Sequence, residues 1–282
     1  MRFEFHAPQT LSAAIALAER HGETARFIAG GTDLVIQIKR RRLAPGHLIS
    51  LQGLGLGAIT ETPAEYVIGA MATHNDVVFY PGFQRELVAL REASAVIGGR
   101  QIRNIATVGG NIVNASPAAD LVPVLLTLDA EVDLAGPGGV RSLPLNQFLL
   151  DLGRTERRVD EVLTAVRFAK PPASSATCFL KAGRRKAMEI SVVCVAAHLV
   201  RGRSRRGFDK ARIAIGAAAA RTLRVPAAET MVVERGAFTE AGRLAAEAAA
   251  PIDDVRASAR YRRLLVATLV ERALERCQDR LP

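Results

Sequence analysis

The chain has 282 residues, which is enough for one large domain or two ordinary ones. Hydrophobic residues make up 49% and charged residues 23%, so a disordered or fibrous chain is excluded. No apolar run reaches the ~18 residues of a membrane-spanning helix, and the N-terminal residues show no signal-peptide pattern. The three cysteines are Cys178, Cys194 and Cys277, too far apart for a Cys-x-x-Cys pair. We therefore expect a cytoplasmic protein with no iron–sulfur cluster on this chain.

The net charge of +10 is concentrated in the C-terminal part of the chain. Residues 1–173 contain 17 Lys and Arg against 17 Asp and Glu, whereas residues 174–282 contain 21 against 11. A basic surface of this kind binds polyanions, docks an acidic protein or gathers an anionic substrate. Because the chain has no Trp and only three Tyr, stacking platforms for bases are scarce. We expect no nucleic-acid binding.

Hydrophobic periodicity and turn residues predict a mixture of helices and strands. Up to residue 55 the predicted elements are a helix over 11–22 capped by Thr10, a strand over 25–29, a short helix from Leu34 and a strand over 48–51. From residue 56 to residue 173 they are strands over 66–70, 131–135, 140–145 and 162–168, a short helix capped by Thr73, a helix over 84–97 and a loop-rich stretch over 97–120.

Residues 170–175 (Lys-Pro-Pro-Ala-Ser-Ser) have the composition of a linker and coincide with the change in charge, so we place a domain boundary after Ala173. Beyond it the predicted elements are strands over 178–181, 190–199 and 212–216 and helices over 239–250 and 258–277. In the last helix Tyr261, Leu264, Leu265, Thr268, Leu269 and Leu274 have the spacing of a buried face. We interpret the arginines of that helix as a solvated face.

Residues 29–33 (Ala-Gly-Gly-Thr-Asp) follow a predicted strand and open a predicted helix. Paired glycines let backbone N–H groups approach phosphate oxygens, although a plain turn has the same composition. The stretch over 107–120 is also rich in glycine, Asn, Thr and Ser and poor in charge, which favours a buried polar ligand. Two such loops could clamp the pyrophosphate of one dinucleotide. By contrast, Gly53–Ala58 is interpreted as a turn, because Pro63 follows where a dinucleotide-binding loop needs a helix.

Single residues give weaker signals. The five histidines show no metal-ligand spacing, and no Ser/His or Cys/His arrangement indicates a nucleophile. Lys181, at the end of a predicted strand, is either a surface charge or an inward lysine that reaches a ligand. We expect a bound cofactor to carry any chemistry.

Residues 27–34 (Phe-Ile-Ala-Gly-Gly-Thr-Asp-Leu) and 102–111 (Ile-Arg-Asn-Ile-Ala-Thr-Val-Gly-Gly-Asn) together resemble a known family. It is the FAD-binding (medium) subunit of molybdenum hydroxylases, which include bacterial xanthine dehydrogenases and aerobic carbon monoxide dehydrogenases. Residues 114–120 continue the resemblance, and residues 251–263 resemble the family's C-terminal signature. The resemblance covers nearly the whole chain.

The resemblance implies an α+β protein. Its FAD-binding domain would be of the PCMH (vanillyl-alcohol-oxidase-like) type over residues 1–173, in two α/β subdomains at about 1–55 and 56–173. A small α/β C-terminal domain would follow over residues 174–282. The residues implied to bind FAD are Phe27, Ile28, Ala29, Gly30, Gly31, Thr32, Asp33, Leu34, Thr107, Val108, Gly109, Gly110, Asn111, Asp120, Leu163 and Lys181.

The implied function is electron transfer. A separate molybdopterin-binding large subunit would oxidise the substrate, a [2Fe–2S] small subunit would relay electrons, and FAD on this chain would pass them to an external acceptor. The resemblance implies a dimer of such heterotrimers, with no metal and no catalytic residue on this chain. Two alternatives stay open, a stand-alone FAD-dependent oxidase and a basic docking or nucleic-acid-binding module. The substrate and the acceptor (NAD, a quinone or oxygen) also stay open.

Overall fold

The computed structural model describes residues 2–185, 187–202 and 207–282. The first unit, which we call the N-terminal lobe, is a parallel sheet of three strands in the order β1–β3–β2. Its elements are β1 (Glu4–His6), α1 (Leu11–His21), β2 (Ala25–Ile28), α2 (Leu34–Lys39) and β3 (His47–Ser50). Thr10 caps α1 by accepting from the Ala13 amide, as the sequence predicts. The buried apolar cluster of the lobe is small: Ala14, Ala18, Ala25 and Ile49, with Leu17, Phe27 and Leu54 packed against it.

The second unit is built on an antiparallel sheet of five strands in the order β4–β5–β10–β6–β7. Its elements are β4 (Ile59–Glu61), β5 (Glu65–Gly69), α3 (His74–Phe79), α4 (Val88–Ala95), α5 (Arg100–Arg103), α6 (Val108–Val113), α7 (Leu121–Thr127), β6 (Glu131–Gly136), β7 (Gly139–Pro144), α8 (Leu145–Phe148), β8 (Leu149–Asp151), β9 (Arg154–Thr155) and β10 (Val162–Ala169). The four strands predicted for this part are all present, and Thr73 caps α3.

Two predictions for this unit are wrong in part. The helix predicted over 84–97 begins only at Val88, after a 3₁₀ turn whose first residue, Arg85, has a φ of 46° that no regular helix accommodates. The stretch over 97–120, predicted as loop, contains α5 and α6. The turn at Gly53–Ala58 is confirmed, with positive φ at Gly53 and Gly55.

The third unit pairs a four-stranded antiparallel sheet with three helices. Its elements are β11 (Ser175–Ala182), β12 (Val193–Arg201), β13 (Phe208–Gly216), β14 (Leu223–Arg224), α9 (Pro226–Arg235), α10 (Phe238–Ala248) and α11 (Ala259–Arg280). Helix α11 packs on β11 and β12. Phe179, Cys194, Ala196 and Ala214 of this sheet belong to the same buried cluster as the core of the second unit. The second and third units therefore share one apolar core.

The predicted faces of α11 are partly wrong. Tyr261 and Leu264 are 52% and 60% exposed, whereas Arg262 is only 3% exposed. The Arg262 guanidinium donates to the carbonyls of Val192 and Ala217 and to Asp254 Oδ1, at 2.7–3.0 Å. Arg262 is therefore a buried residue that connects α11 to the ends of the sheet strands by hydrogen bonds, and it is not part of a solvated face. Among the described residues, no helix is both long enough and apolar enough to span a bilayer.

Candidate functional site

The first glycine turn, residues 29–33, connects β2 to α2 and lies against the chain segment before α6. A Cβ built on Gly30 would lie 1.8 Å from the carbonyl oxygen of Ile105. Gly31 has a φ of 70°, in the left-handed region that favours glycine. Only a residue without a side chain allows the two backbones to approach this closely. The N-terminal lobe and the second unit thus meet at Gly30.

The second turn begins at Thr107, which caps α6 by accepting from the Gly110 amide at 3.0 Å. The Gly109 amide donates to the carbonyl of Ala70 at 2.8 Å, and a Cβ on Gly109 would lie 2.7 Å from the Ala70 side chain. Val108 donates in the same way to Ala72. Turn and sheet are therefore joined by backbone contacts that leave no room for a side chain at Gly109.

Several polar groups at the two turns are unpaired within the described part of the chain. The amides of Gly30, Gly31 and Thr32 have no hydrogen-bond acceptor there. The buried Asn111 Oδ1, in the first turn and a half of α6, also has no partner. Unpaired buried polar atoms are costly, and paired glycines with free amides are the usual cradle of phosphate oxygens. This arrangement fits the phosphate and sugar part of a bound dinucleotide.

Leu163, in β10, is 4% exposed and belongs to the core of the second unit. The next residue, Thr164, accepts the Ala70 amide at 2.9 Å, and the Ala70 carbonyl in turn accepts the Gly109 amide. The fold therefore brings the backbone beside Leu163 to the second glycine turn, although the Leu163 side chain lies in the apolar core.

Asp120 and Lys181 form an ion pair. Lys181 Nζ donates to Asp120 Oδ2 at 2.6 Å, and Ser191 Oγ donates to Asp120 Oδ1. The side chain of Lys181 is 12% exposed and that of Asp120 is 6% exposed, so Lys181 points inward rather than to the surface. Burial raises the pKa of Asp120, and the contacts with Lys181 and Ser191 oppose that shift. Lys181 also lines a cavity of about 380 Å³ with Val96 and Met188.

Sequence reasoning missed several groups at the site. The carbonyls of Ile105 and Ala70 act through the backbone, which no motif reveals. Arg157 lies over the ring of Phe27 at 5.9 Å from the ring centroid and donates to the carbonyls of its own loop, including that of Glu161 at 2.8 Å. Arg157 thereby ties the N-terminal lobe to the second unit beside the first turn.

A cleft of about 510 Å³ borders the second turn and is lined by Asn75, Asp76, Tyr80, Arg100 and Asn104 among others. It lies next to the turn because Thr73, the cap of the helix that carries Asn75 and Asp76, is bridged to Thr107. The cleft offers amide and guanidinium donors but no nucleophile activated by a base. The site as a whole is suited to hold a ligand rather than to attack one.

Two family models match the chain. Residues 1–171 match the FAD binding domain in molybdopterin dehydrogenase, and residues 178–277 match the CO dehydrogenase flavoprotein C-terminal domain. The carbon monoxide dehydrogenase medium chain of Hydrogenophaga pseudoflava is 31% identical and covers 97% of this chain and 96% of its own length. The putative xanthine dehydrogenase FAD-binding subunit XdhB of Escherichia coli K12 is 32% identical and covers 96% of this chain and 94% of its own length.

A solved structure of carbon monoxide dehydrogenase from Hydrogenophaga pseudoflava, which lacks the Mo-pyranopterin moiety of the molybdenum cofactor, superposes with a TM-score of 0.96. It is 30% identical and covers 100% of this chain and 99% of the matched chain. Fold, site and matches together define a flavoprotein subunit of an oxidoreductase. The chain belongs to the family of FAD-binding subunits of molybdenum hydroxylases, and its resemblance to that family in sequence is confirmed.

Proposed function

We propose that this chain takes electrons from a [2Fe–2S] partner and passes them through FAD to an external acceptor, as the flavoprotein subunit of a molybdenum-containing hydroxylase. The observation that carries the proposal is the close approach of the first glycine turn, at Gly30, to the Ile105 carbonyl just before the second turn, with amides at Gly30, Gly31 and Thr32 that have no acceptor within the described residues. When bound, FAD supplies the reversible uptake and release of electrons that no side chain provides.

The residues proposed to hold FAD divide into three groups by what they offer. Backbone amides of residues 29–33 would bind the pyrophosphate. Residues 107–111, whose amides from Val108 to Asn111 are engaged within the protein, would line the ribityl chain, and Asn111 Oδ1 would accept a hydrogen bond from one of its hydroxyl groups. Phe27, Ile28 and Leu34 flank the first turn, where a Cβ built on Gly31 would lie 3.2 Å from Val35 and 3.4 Å from Ile28. Asp120, Leu163 and Lys181 would lie toward the flavin ring.

We further propose the PCMH-type arrangement, with subdomains at about 1–55 and 56–173 and a C-terminal domain at 174–282. The short connection between the end of β10 at Ala169 and the start of β11 at Ser175 supports a boundary after Ala173. The shared core of the second and third units implies that these two parts do not move as independent bodies.

The proposed partners are a molybdopterin-binding large subunit and a [2Fe–2S] small subunit, assembled as a dimer of heterotrimers in the cytoplasm. The name "medium chain" of the Hydrogenophaga relative supports a complex of several chains. The three cysteines of this chain are free, as expected of a protein in a reducing compartment.

Replacement of Gly110 tests the FAD site. Gly110 is exposed, and a Cβ there meets only the Thr107 hydroxyl, at 2.9 Å, so Gly110→Val should fold. The branched side chain would occupy the place where the ligand meets the backbone. We expect FAD affinity to fall by about tenfold or more, measured by flavin fluorescence during titration of the flavin-free protein.

Gly138→Val is the matched control, because no atom lies within 4 Å of a Cβ at Gly138 in the β6–β7 turn. This variant should keep the affinity of the unmodified protein. Wild-type affinity in Gly110→Val would show that the second turn does not hold FAD.

Co-expression with a molybdopterin protein and a ferredoxin-like protein encoded beside this chain tests the assembly. We expect the three chains to elute together from a size-exclusion column, with flavin, iron and molybdenum in the same fraction. If the chain elutes alone and oxidises an organic substrate unaided, the stand-alone oxidase is the correct function.

A further inference from the structure

Three histidines that are distant in sequence meet on one face of the N-terminal lobe. His6 ends β1, His21 ends α1 and His47 begins β3. One ligand atom of each lies within 4.8 Å of one ligand atom of each of the others. The parallel pairing of β1 with β3 sets Glu4 beside His47, so a carboxylate joins the three imidazoles. This set of residues, the histidine cluster, has no role in the proposed electron transfer.

The distances within the cluster are those of ligands that share one ion. His6 Nε2 lies 3.1 Å from His47 Nδ1, and Glu4 Oε2 lies 3.6 Å from the same Nδ1 atom. A tetrahedral zinc site with bonds of about 2.0–2.1 Å has ligand atoms about 3.3 Å apart, between these two values. His21 stacks on His47 with ring centroids 3.6 Å apart, and one of its ligand atoms lies within 4.8 Å of those of His6 and His47. Because the lone pairs of two stacked rings run side by side, the His21 ring must turn out of the stack to bind the same ion.

Glu4 supplies the negative charge that a divalent cation needs beside the three imidazoles. The side chains of His6 and His47 are only 14% and 22% exposed, whereas that of Glu4 is 66% exposed. An ion would thus enter from the Glu4 side.

We propose that His6, His21 and His47, with Glu4 as fourth ligand, form a binding site for a divalent transition metal ion of the Zn²⁺ type. Three imidazoles and one carboxylate are ligands that zinc takes in proteins, with tetrahedral geometry. The site lies at the start of β2 and β3, whereas the first glycine turn follows the end of β2, about 16 Å further along the chain. It is therefore separate from the FAD site.

The role of the ion follows from its position. It joins β1, α1 and β3, elements of a lobe whose buried apolar cluster among the described residues is small and rests on Ala14, Ala18, Ala25 and Ile49. Small units with little apolar burial are commonly stabilised by a structural metal. We assign the ion to the stabilisation of the N-terminal lobe.

Isothermal titration of the untagged, FAD-loaded protein with Zn²⁺, after chelator treatment and dialysis, tests the proposal. We expect one saturable site of micromolar or lower Kd. His47→Ala and His21→Ala should each weaken Zn²⁺ binding by about 100-fold or more, which exceeds the usual loss when a residue that only hydrogen-bonds to a metal ligand is removed. Glu4→Gln should weaken Zn²⁺ binding by about tenfold. His198→Gln, which removes a buried histidine on β12 far from the cluster in sequence, is the matched control and should bind as the unmodified protein does.

Two further readouts separate a specific site from loose surface binding. Titration with Co²⁺ should give tetrahedral d–d absorption at wavelengths beyond the flavin bands, and this absorption should be absent from His47→Ala. Zn²⁺ should slow amide hydrogen exchange in β1, α1 and β3 while the FAD content stays constant. Absence of saturable binding, or equal binding by His47→Ala and the unmodified protein, would overturn the proposal without touching the assignment of the FAD site.

Discussion

Asp120 and Lys181 are drawn together from different units of the fold, Asp120 from the start of α7 and Lys181 from β11. Both side chains are nearly buried, and Ser191 Oγ donates the other hydrogen bond to the carboxylate. A buried carboxylate is tolerated here because a cation and a hydroxyl face its two oxygens. Removal of one partner should therefore cost far more than the loss of a surface pair.

We expect Lys181→Met to lower the free energy of unfolding by about 3 kcal/mol or more at pH 8, because Asp120 is left as a buried charge. Burial already raises the pKa of Asp120, and loss of Lys181 raises it further. The folded variant then binds a proton at a pH where the unfolded chain does not, so its stability rises as the pH falls. The loss measured by urea unfolding should accordingly be smaller at pH 5 than at pH 8.

Lys210→Met is the matched control for this experiment. Lys210 Nζ donates to Asp129 Oδ2 at 2.7 Å, but both side chains are more than a third exposed, and Arg212 and Arg224 also contact Asp129. We expect a change within about 1 kcal/mol and little dependence on pH in this range. Equal losses in the two variants would contradict the role given to burial.

The pairing of Asp120 with Lys181 shows what sequence motifs reveal about this site and what they do not. Paired glycines are a local signal, so residues 29–33 and 107–111 could be singled out from the sequence, although the helix that begins at Val108 was not predicted. The direction of the Lys181 side chain depends on which element packs over β11, and the sequence therefore left it open. The unpaired Asn111 Oδ1 depends on long-range packing in the same way.

At the scale of elements, Arg262 lies in the regular helix α11 but is buried by contacts with other parts of the fold. Its guanidinium satisfies two carbonyls and one carboxylate. We expect Arg262→Leu to lower the free energy of unfolding by about 3 kcal/mol or more, since the buried carbonyls of Val192 and Ala217 would lose this donor. Asp254 would lose its ion pair but keep the amides of Arg256 and Ala257 as donors. Chemical denaturation followed by circular dichroism measures this change.

Arg260→Leu, two residues earlier on the exposed side of the same helix, provides the comparison. Surface substitutions away from specific contacts usually change stability by no more than about 0.5 kcal/mol. A similar effect of the two substitutions would mean that Arg262 does not tie α11 to the sheet.

The elements predicted correctly are those with a strong local signal. Helix α1 has an apolar stripe and a Thr cap, and β5, β6 and β10 have runs of strand-forming residues. Helix α6 was missed because two glycines and an Asn in six residues are poor helix formers, and the Thr107 cap together with packing overrides that preference. Helix α7 was missed because its residues are apolar on every side and all buried, and it therefore has no periodicity.

At the scale of the whole molecule, the three units differ in the size of the apolar core that stabilises them. The second and third share one large core, whereas the N-terminal lobe has only a small buried cluster of its own in the described part of the chain. We expect amide hydrogen exchange to be fastest in β1, α1 and α2 and slowest in α7 and β12 of the FAD-free protein. Mass spectrometry of peptides from the exchanged protein measures this order.

Addition of FAD should slow exchange selectively at β2 and α2, because the proposed ligand joins the lobe to the second unit across Gly30 and Ile105. Protection spread evenly over all three units, or none at the lobe, would contradict binding at this junction.

The basic character of the C-terminal part leads to a separate expectation. Fluorescence anisotropy with labelled DNA and RNA at physiological salt should show only weak binding that falls steeply as salt is added. Selective binding in the submicromolar range would mean that the charge serves nucleic acid, and would revive the alternative of a basic binding module. Part of this charge is engaged within the fold, where Lys210, Arg212 and Arg224 surround Asp129.

The close approach of two backbones at Gly30 has a consequence for the evolution of this chain. Every single-nucleotide change in a glycine codon that yields another amino acid adds at least a Cβ atom, and at this position that atom would lie 1.8 Å from a carbonyl oxygen. No gradual route through a slightly larger residue exists, because alanine is already too large. In a saturation library selected for flavin-dependent growth, codon 30 should therefore stay fixed as glycine, while codon 138, whose glycine faces open space, should accept many residues.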